Sequence, residues 1–139
     1  MKKKLIPLIL ALACAIACAL GLAACEGKEL NYLKVVDEGT GQLKDNLDIG
    51  NYSSDQLEQI KAKLSGLQFK FVYYPDDSTE NADMSKVKVK HFINHEGHAG
   101  LPEQLQAGAS YSVYYYVEGH EPTADFSDSL VVTINFSVT

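Results

Sequence analysis

The C-terminal end of the chain alternates apolar and polar side chains with a period of two, and this pattern restricts the fold more than any other feature. Its apolar positions are Leu130, Val132, Ile134, Phe136 and Val138. Side chains on a strand point alternately to opposite faces, so this period predicts a strand with one buried face. Such a strand must be covered by a second layer of structure, and the chain therefore has to build a layered β fold.

Residues 30–36, 67–74, 87–93 and 111–117 show the same kind of alternation, and turn residues separate them. The sequence shows no β-α-β alternation of strands and helices, which argues against a parallel sheet. We therefore expect a mainly β fold, an antiparallel β-sandwich, preceded by an N-terminal signal helix. We expect residues 42–49 to be a loop or a short strand, and residues 76–85 and 94–100 to be loops.

One segment has a helical period. Leu57, Ile60 and Leu64 recur at helical spacing, and Ser53 with Gln56 has the spacing of a capping box. Gly66 follows as a stop signal. The sequence predicts one short helix over residues 53–64, packed on the domain by its three apolar residues.

The chain opens with three lysines and an uncharged, apolar run from residue 5 to residue 22, which is typical of a secretory signal peptide. The run ends in Leu22-Ala23-Ala24-Cys25. These residues resemble the lipobox of bacterial lipoproteins, which has an aliphatic residue, two small residues and a cysteine. The resemblance implies cleavage before Cys25, a diacylglycerol on its sulfur and often an acyl chain on its new amine.

An alternative for this segment is a permanent membrane helix, since residues 5–24 reach the roughly 20 residues needed to span a bilayer. The alanine-rich composition and the small residues before the cysteine argue against it. Cys14 and Cys18 also follow small residues, but Cys25 borders the polar chain. Cleavage there would remove Cys14 and Cys18, so the mature fold would rely on a packed core instead of a disulfide.

These features divide the chain into a signal peptide (1–24), a lipidated cysteine with a short tether (25–29) and one domain (30–139). Three of the 12 basic residues leave with the leader and all 18 acidic residues stay, so nine basic and 18 acidic residues give a mature net charge of −9. Such a surface disfavours nucleic acid. A four-residue tether reaches at most about 14 Å, which places the domain close to a cell membrane or outer membrane, on its extracytoplasmic side.

A second resemblance concerns the domain. The segment Ala107-Gly108-Ala109-Ser110-Tyr111-Ser112-Val113 resembles the start of the penultimate strand of bacterial immunoglobulin-like domains, and residues 64–76 resemble another segment of that family. The resemblance implies an immunoglobulin-like sandwich. It also implies a Tyr111 hydroxyl bonded back to the preceding loop, and Val113 at the place of a core cysteine. Asp77 stands where the family has a glycine.

Two groups of side chains are candidates for binding. His91, His95 and His98 lie close together, and imidazole is a common ligand of zinc and copper. The alternative is a half-buried strand histidine followed by two solvated loop histidines. Tyr114 and Tyr116 share one face of a strand and would form an aromatic platform for a sugar or peptide, unless they pack inward.

No Gly-x-Ser-x-Gly elbow or EF-hand spacing occurs in the sequence. We therefore expect a non-enzymatic surface lipoprotein without a cofactor other than its covalent lipid. It would be a structural module or would bind an envelope protein or glycan. The alternatives are a lipoprotein that binds metal through the histidines and a small hydrolase, which would need a Ser or Asp beside a histidine.

Overall fold

The computed structural model describes residues 28–139, and within this range the chain is mainly β with one short helix. The strands are β1 (Glu29–Asp37), β2 (Gln42–Lys44), β3 (Asn46–Tyr52), β4 (Phe69–Tyr74), β5 (Thr79–Asn81), β6 (Val87–Ile93), β7 (Glu96–Ala99), β8 (Ser110–Val117) and β9 (Val131–Val138). Helix α1 (Leu57–Ser65) lies between β3 and β4, and a 3-10 turn (Met84–Lys86) precedes β6. The five predicted strands are confirmed as β1, β4, β6, β8 and β9.

The strands form two sheets. One has four strands in the order β2-β1-β4-β5, and the other has five in the order β3-β9-β8-β6-β7. All pairs are antiparallel except β3 with β9, which are parallel and place Leu47 beside Ile134. The expectation of a wholly antiparallel fold is therefore wrong at this pair, because nothing in the local pattern of β3 reveals a partner more than 80 residues away.

The two sheets share one core, so the layering is sandwich-like. Alternate residues of β1, β4, β8 and β9 point into it, and Leu33, Val113, Val132 and Ile134 are fully buried. Phe69 of the four-stranded sheet meets Tyr115 of the five-stranded sheet with ring centroids 4.6 Å apart. The predicted inward faces of the strongest strands are thus confirmed, since a period of two leaves each of them only one face to bury.

Helix α1 begins later than predicted. Ser53 and Gln56 form a turn in which the Ser53 N–H donates to the Gln56 side chain at 2.7 Å, but the Ser53 hydroxyl pairs with Asp55 and does not cap the helix. The helix therefore starts at Leu57. Ile60 and Leu64 are buried in the shared core, as their spacing predicted.

The short strands were the ones that the sequence pattern missed. Segments expected to be loops contain β5 and β7, and every residue of these two strands is exposed. Both lie at sheet edges, where side chains need no alternation because neither face is buried. Asn94 and His95 have φ values of 50° and 76° and form the tight turn that joins β6 to β7.

The start of β8 is held by a buried tyrosine. Tyr111 is 1% exposed, and its ring stacks on Phe136 at 4.9 Å with only 5° between the planes. Its hydroxyl accepts a hydrogen bond from the Gln106 N–H at 2.8 Å and donates to the Gln104 carbonyl oxygen at 3.4 Å. Gly108 adopts a φ of 84° between this loop and β8, a conformation that favours glycine. The loop is therefore tied to the core through one side chain.

Candidate functional sites

The predicted lipid site, Cys25, and the predicted signal peptide (1–24) lie outside the described residues. No helix within residues 28–139 has the length and apolar character needed to cross a membrane. The first described residue, Lys28, contacts the turn between β4 and β5, with its ammonium 3.1 Å from the Asp76 carboxylate and 3.3 Å from the Ser78 hydroxyl. The beginning of the domain is therefore fixed beside this turn.

The pKa of Asp76 is lowered to about 2. The backbone N–H and hydroxyl of Ser78 donate to its carboxylate, and Lys28 adds a further hydrogen bond and a positive charge. Each of these contacts favours the ionised form. The carboxylate is therefore a structural anchor of the turn at neutral pH.

Tyr114 and Tyr116 lie on the outer face of the five-stranded sheet, where both are half-buried. Phe92 lies beside Tyr114 with ring centroids 5.1 Å apart, and its ring also covers Gly97 of β7. Phe92 is 8% exposed although it is on the outer face. The predicted platform is thus part of a packed aromatic layer, which leaves less free ring surface than two exposed tyrosines would offer.

The connection between β8 and β9 covers part of this outer face. Its Pro122 is fully buried, and the Lys90 ammonium donates to the Glu121 carboxylate at 2.9 Å and to the Pro122 carbonyl at 3.3 Å. Burial, followed by the charge of Glu121, raises the pKa of Tyr116. The connection therefore lies against the end of the platform that Tyr116 contributes.

A histidine and a carboxylate meet within the same connection. His120 Nδ1 lies 2.8 Å from Asp128 Oδ2, and the Leu130 N–H donates to the other carboxylate oxygen at 2.9 Å. Burial raises the pKa of Asp128, but these hydrogen bonds outweigh it and the net pKa is lowered. An aspartate therefore lies beside a histidine, which is the arrangement that the hydrolase alternative needs, and no hydrogen bond joins His120 to a serine hydroxyl among the described residues.

Two of the three candidate metal ligands are neighbours. His91 of β6 and His98 of β7 are directly opposite each other, with their rings stacked 5.2 Å apart. His91 is 6% exposed, and its Nδ1–H donates to the Gly100 carbonyl oxygen at 2.8 Å. Since a carbonyl only accepts, Nδ1 carries a proton, which leaves Nε2 as the ring nitrogen that could ligate a metal ion. Both rings line a cavity of about 380 Å³ that also contains Glu103.

His95 lies elsewhere. It occupies the turn between β6 and β7 and lines a separate cavity of about 130 Å³ together with Tyr114 and Ser112. Within residues 28–139 no three His, Cys, Asp or Glu side chains are placed so that they could hold a metal ion together. The structure therefore brings together His91 and His98, but it does not add His95 to them.

A further cavity in the described part of the chain was not predicted. It has a volume of about 460 Å³ and lies between α1, the start of β4, the residues after β5 and the segment that follows β7. Its walls are mostly apolar and include Leu64, Leu67, Phe69 and Met84. Its volume falls within the range of small-molecule pockets, about 300–1,000 Å³.

Tyr115 and Lys61 supply this cavity with polar groups. Tyr115 is 8% exposed, and burial raises its pKa to about 12. None of the described residues forms a hydrogen bond with its hydroxyl. Among the described residues, every side-chain nitrogen or oxygen that solvent cannot reach has a hydrogen-bond partner, so solvent must reach this hydroxyl. The hydroxyl therefore opens into the cavity that Tyr115 lines. Lys61 of α1 is half-buried at the same cavity and forms no ion pair with a described residue.

No family model, no curated protein and no solved structure matches this chain. The features of the sites therefore come from the sequence and the geometry alone. The sequence patterns of α1, β4 and β8 predict that each element has an inward face, but they contain no signal that Leu64, Phe69 and Tyr115 leave a space between them. That space depends on how α1 and the segment after β7 pack against the sheets.

Proposed function

We propose that this chain is a bacterial lipoprotein, anchored through Cys25 at the outer side of a cell membrane or outer membrane. Its domain would be a non-enzymatic structural or binding module for an envelope protein or glycan. The observation that carries the proposal is the sequence Leu22-Ala23-Ala24-Cys25 at the end of a charged and apolar leader. Two lipid chains hold a protein on a membrane far better than one.

An immunoglobulin-like fold for the domain is part of the proposal. Two sheets that share one core support it, as do the buried Val113 and the Tyr111 hydroxyl bonded back to the preceding loop. Both side-chain features are those that the resemblance of residues 107–113 implies. The contact of Lys28 with Asp76 supports a domain held close to its anchor, because only two residues separate Lys28 from Cys25.

The anchor is tested by mass spectrometry of the chain isolated from bacterial membranes. We expect the mass of residues 25–139 increased by a diacylglycerol and an N-acyl chain, and we expect the Cys25→Ala variant to keep its leader and carry no lipid. A wild-type chain recovered at the mass of the unmodified sequence would refute the proposal. Affinity capture with residues 26–139 then tests for an envelope protein or glycan.

Binding of zinc or copper is a second candidate function, because His91 and His98 stack on each other and line one cavity. Calorimetry of the domain with each metal tests it. A site of this kind predicts saturable heat that the His98→Ala variant loses and the His95→Ala variant keeps. No heat at micromolar metal would end this alternative.

A further inference from the structure

The cavity beneath helix α1 has both apolar walls and a tyrosine hydroxyl that a ligand could bind. It reaches Tyr115 in the shared core, and its walls are mostly apolar side chains from both sheets and from α1, with Ser65, Gln68 and Asn81 as polar lining residues. The Tyr115 hydroxyl opens into this cavity, and no described residue forms a hydrogen bond with it. It can therefore donate a hydrogen bond to an oxygen acceptor of a ligand in place of water.

The charge around the cavity limits the kind of ligand. Lys61 is the one charged residue among those that line it, whereas the full chain has 18 acidic and 12 basic residues. The lining contains no carboxylate, and the Lys61 ammonium forms no ion pair with a described residue. An anionic group placed there would be attracted by Lys61 without meeting a like charge in the lining.

We propose that the cavity between α1 and the two sheets binds a small amphipathic carboxylate, with its apolar body against Leu64 and Phe69 and its carboxylate at Lys61 and Tyr115. The apolar walls account for the body of the ligand, because burial of apolar surface is the main source of affinity in such pockets. The ammonium and the hydroxyl account for the carboxylate, since both donate hydrogen bonds. The proposed ligand site does not depend on whether Cys25 carries a lipid, so an experiment on the cavity can fail without affecting the proposed function, and the reverse is also true.

The probes are 4-phenylbutyrate and its neutral counterpart 4-phenylbutan-1-ol, which differ at the polar end. The protein is residues 26–139, because every strand and the whole core of the described structure lie between residues 28 and 139. Cooperative thermal unfolding first shows that this chain is folded. Titration followed by amide NMR shifts then reports affinity and position together. For a ligand of this size we expect a dissociation constant of about a millimolar or tighter for the acid.

Two variants and one matched control decide the chemistry. Lys61→Met should weaken the acid about tenfold and leave the alcohol within about twofold, because only the acid forms an ion pair with the ammonium. Lys88→Met removes the same charge from an exposed site away from the cavity and should change neither affinity. Ala82→Phe fills the cavity and should abolish binding of both probes. If that variant unfolds, Leu101→Phe fills the same space from the opposite wall.

The expected shifts centre on residues 64–69 and on Tyr115. Absence of saturable shifts with the folded wild type would overturn the proposal, as would shifts confined to another surface. Equal affinity for acid and alcohol, unchanged by Lys61→Met, would overturn the carboxylate as the ligand class. Binding that survives in the folded cavity-filling variant would overturn the location.

Discussion

Tyr111→Phe is the substitution that most directly tests how this domain is held together. The change removes one hydroxyl and leaves a ring of the same shape. The stack on Phe136, with centroids 4.9 Å apart, is therefore kept. What is lost is the hydrogen bond from the Gln106 N–H at 2.8 Å and the longer one to the Gln104 carbonyl at 3.4 Å. The substitution thus separates the tie to the loop from the packing of the ring.

The magnitude follows from these two contacts. A well-formed hydrogen bond contributes about 0.5–1.5 kcal/mol net, and a buried group left unpaired costs about 1–3 kcal/mol. The 3.4 Å contact is too long to count fully, and the exposed Gln106 can regain water for its N–H. We therefore expect the free energy of unfolding to fall by about 1–2 kcal/mol. Tyr111→Ala should cost about 3–5 kcal/mol, because it also removes the buried ring.

Urea unfolding of residues 26–139 measures this loss. With a slope of about 1–1.5 kcal/mol per molar urea for a domain of this size, the midpoint should fall by about 1 M. Tyr114→Phe is the matched control, since none of the described residues hydrogen-bonds its hydroxyl, and its midpoint should move by less than half as much. An unchanged midpoint and slope for Tyr111→Phe would refute the assigned role of the hydroxyl. An altered slope would show that the fold itself had changed.

Three further predictions concern pH and packing. The pKa of Asp76 lies near 2 in the folded domain, below the value of about 3.9 in the unfolded chain. Its contribution to the free energy of unfolding is therefore present above pH 4 and is lost as the pH falls from about 4 to 2. Asp76→Asn should make the free energy of unfolding depend less on pH in that range. The pKa of Tyr115 is raised from 10 to about 12, so its contribution is full below pH 10 and declines toward pH 12. Between pH 9 and 11.5 the free energy of unfolding of the wild type should fall by at most about 2–3 kcal/mol because of Tyr115, and Tyr115→Phe should lack this fall. Urea unfolding at the two pH values measures it, and an equal fall in variant and wild type would contradict the prediction. Ile134→Ala should cost about 2–5 kcal/mol because Ile134 is fully buried, whereas the adjacent, half-buried Thr133→Ala should cost clearly less; similar losses at both positions would contradict the assigned faces.

The pattern of single strands was predictable because it is local. β8 and β9 each bury one face, and Val113, Ile134 and Phe136 fall on the face that the alternation indicates. The helical spacing of Ile60 and Leu64 likewise predicts that these residues of α1 are buried. The predicted helix start is four residues too early, because the Ser53 hydroxyl pairs with Asp55 instead of with the helix.

The candidate sites were less predictable, because each depends on residues that are distant in the sequence. His91 and His98 meet because the turn at Asn94 and His95 pairs β6 with β7, and the same turn carries His95 to another cavity. The predicted platform of Tyr114 and Tyr116 exists as a shared face. Its packing beside Phe92 and Pro122 depends on the connection between β8 and β9, which has no periodic pattern.

The sequence by itself determined which faces of the main strands are apolar and that the domain is mainly β. These properties depend on the identity and spacing of neighbouring residues, so a local reading recovers them. Tertiary structure alone decided the parallel pairing of β3 with β9, the edge strands β5 and β7, and the cavity that exposes the Tyr115 hydroxyl. Each of these is set by packing between segments far apart in the chain, and a period of two specifies which side of a strand is buried without specifying what covers it.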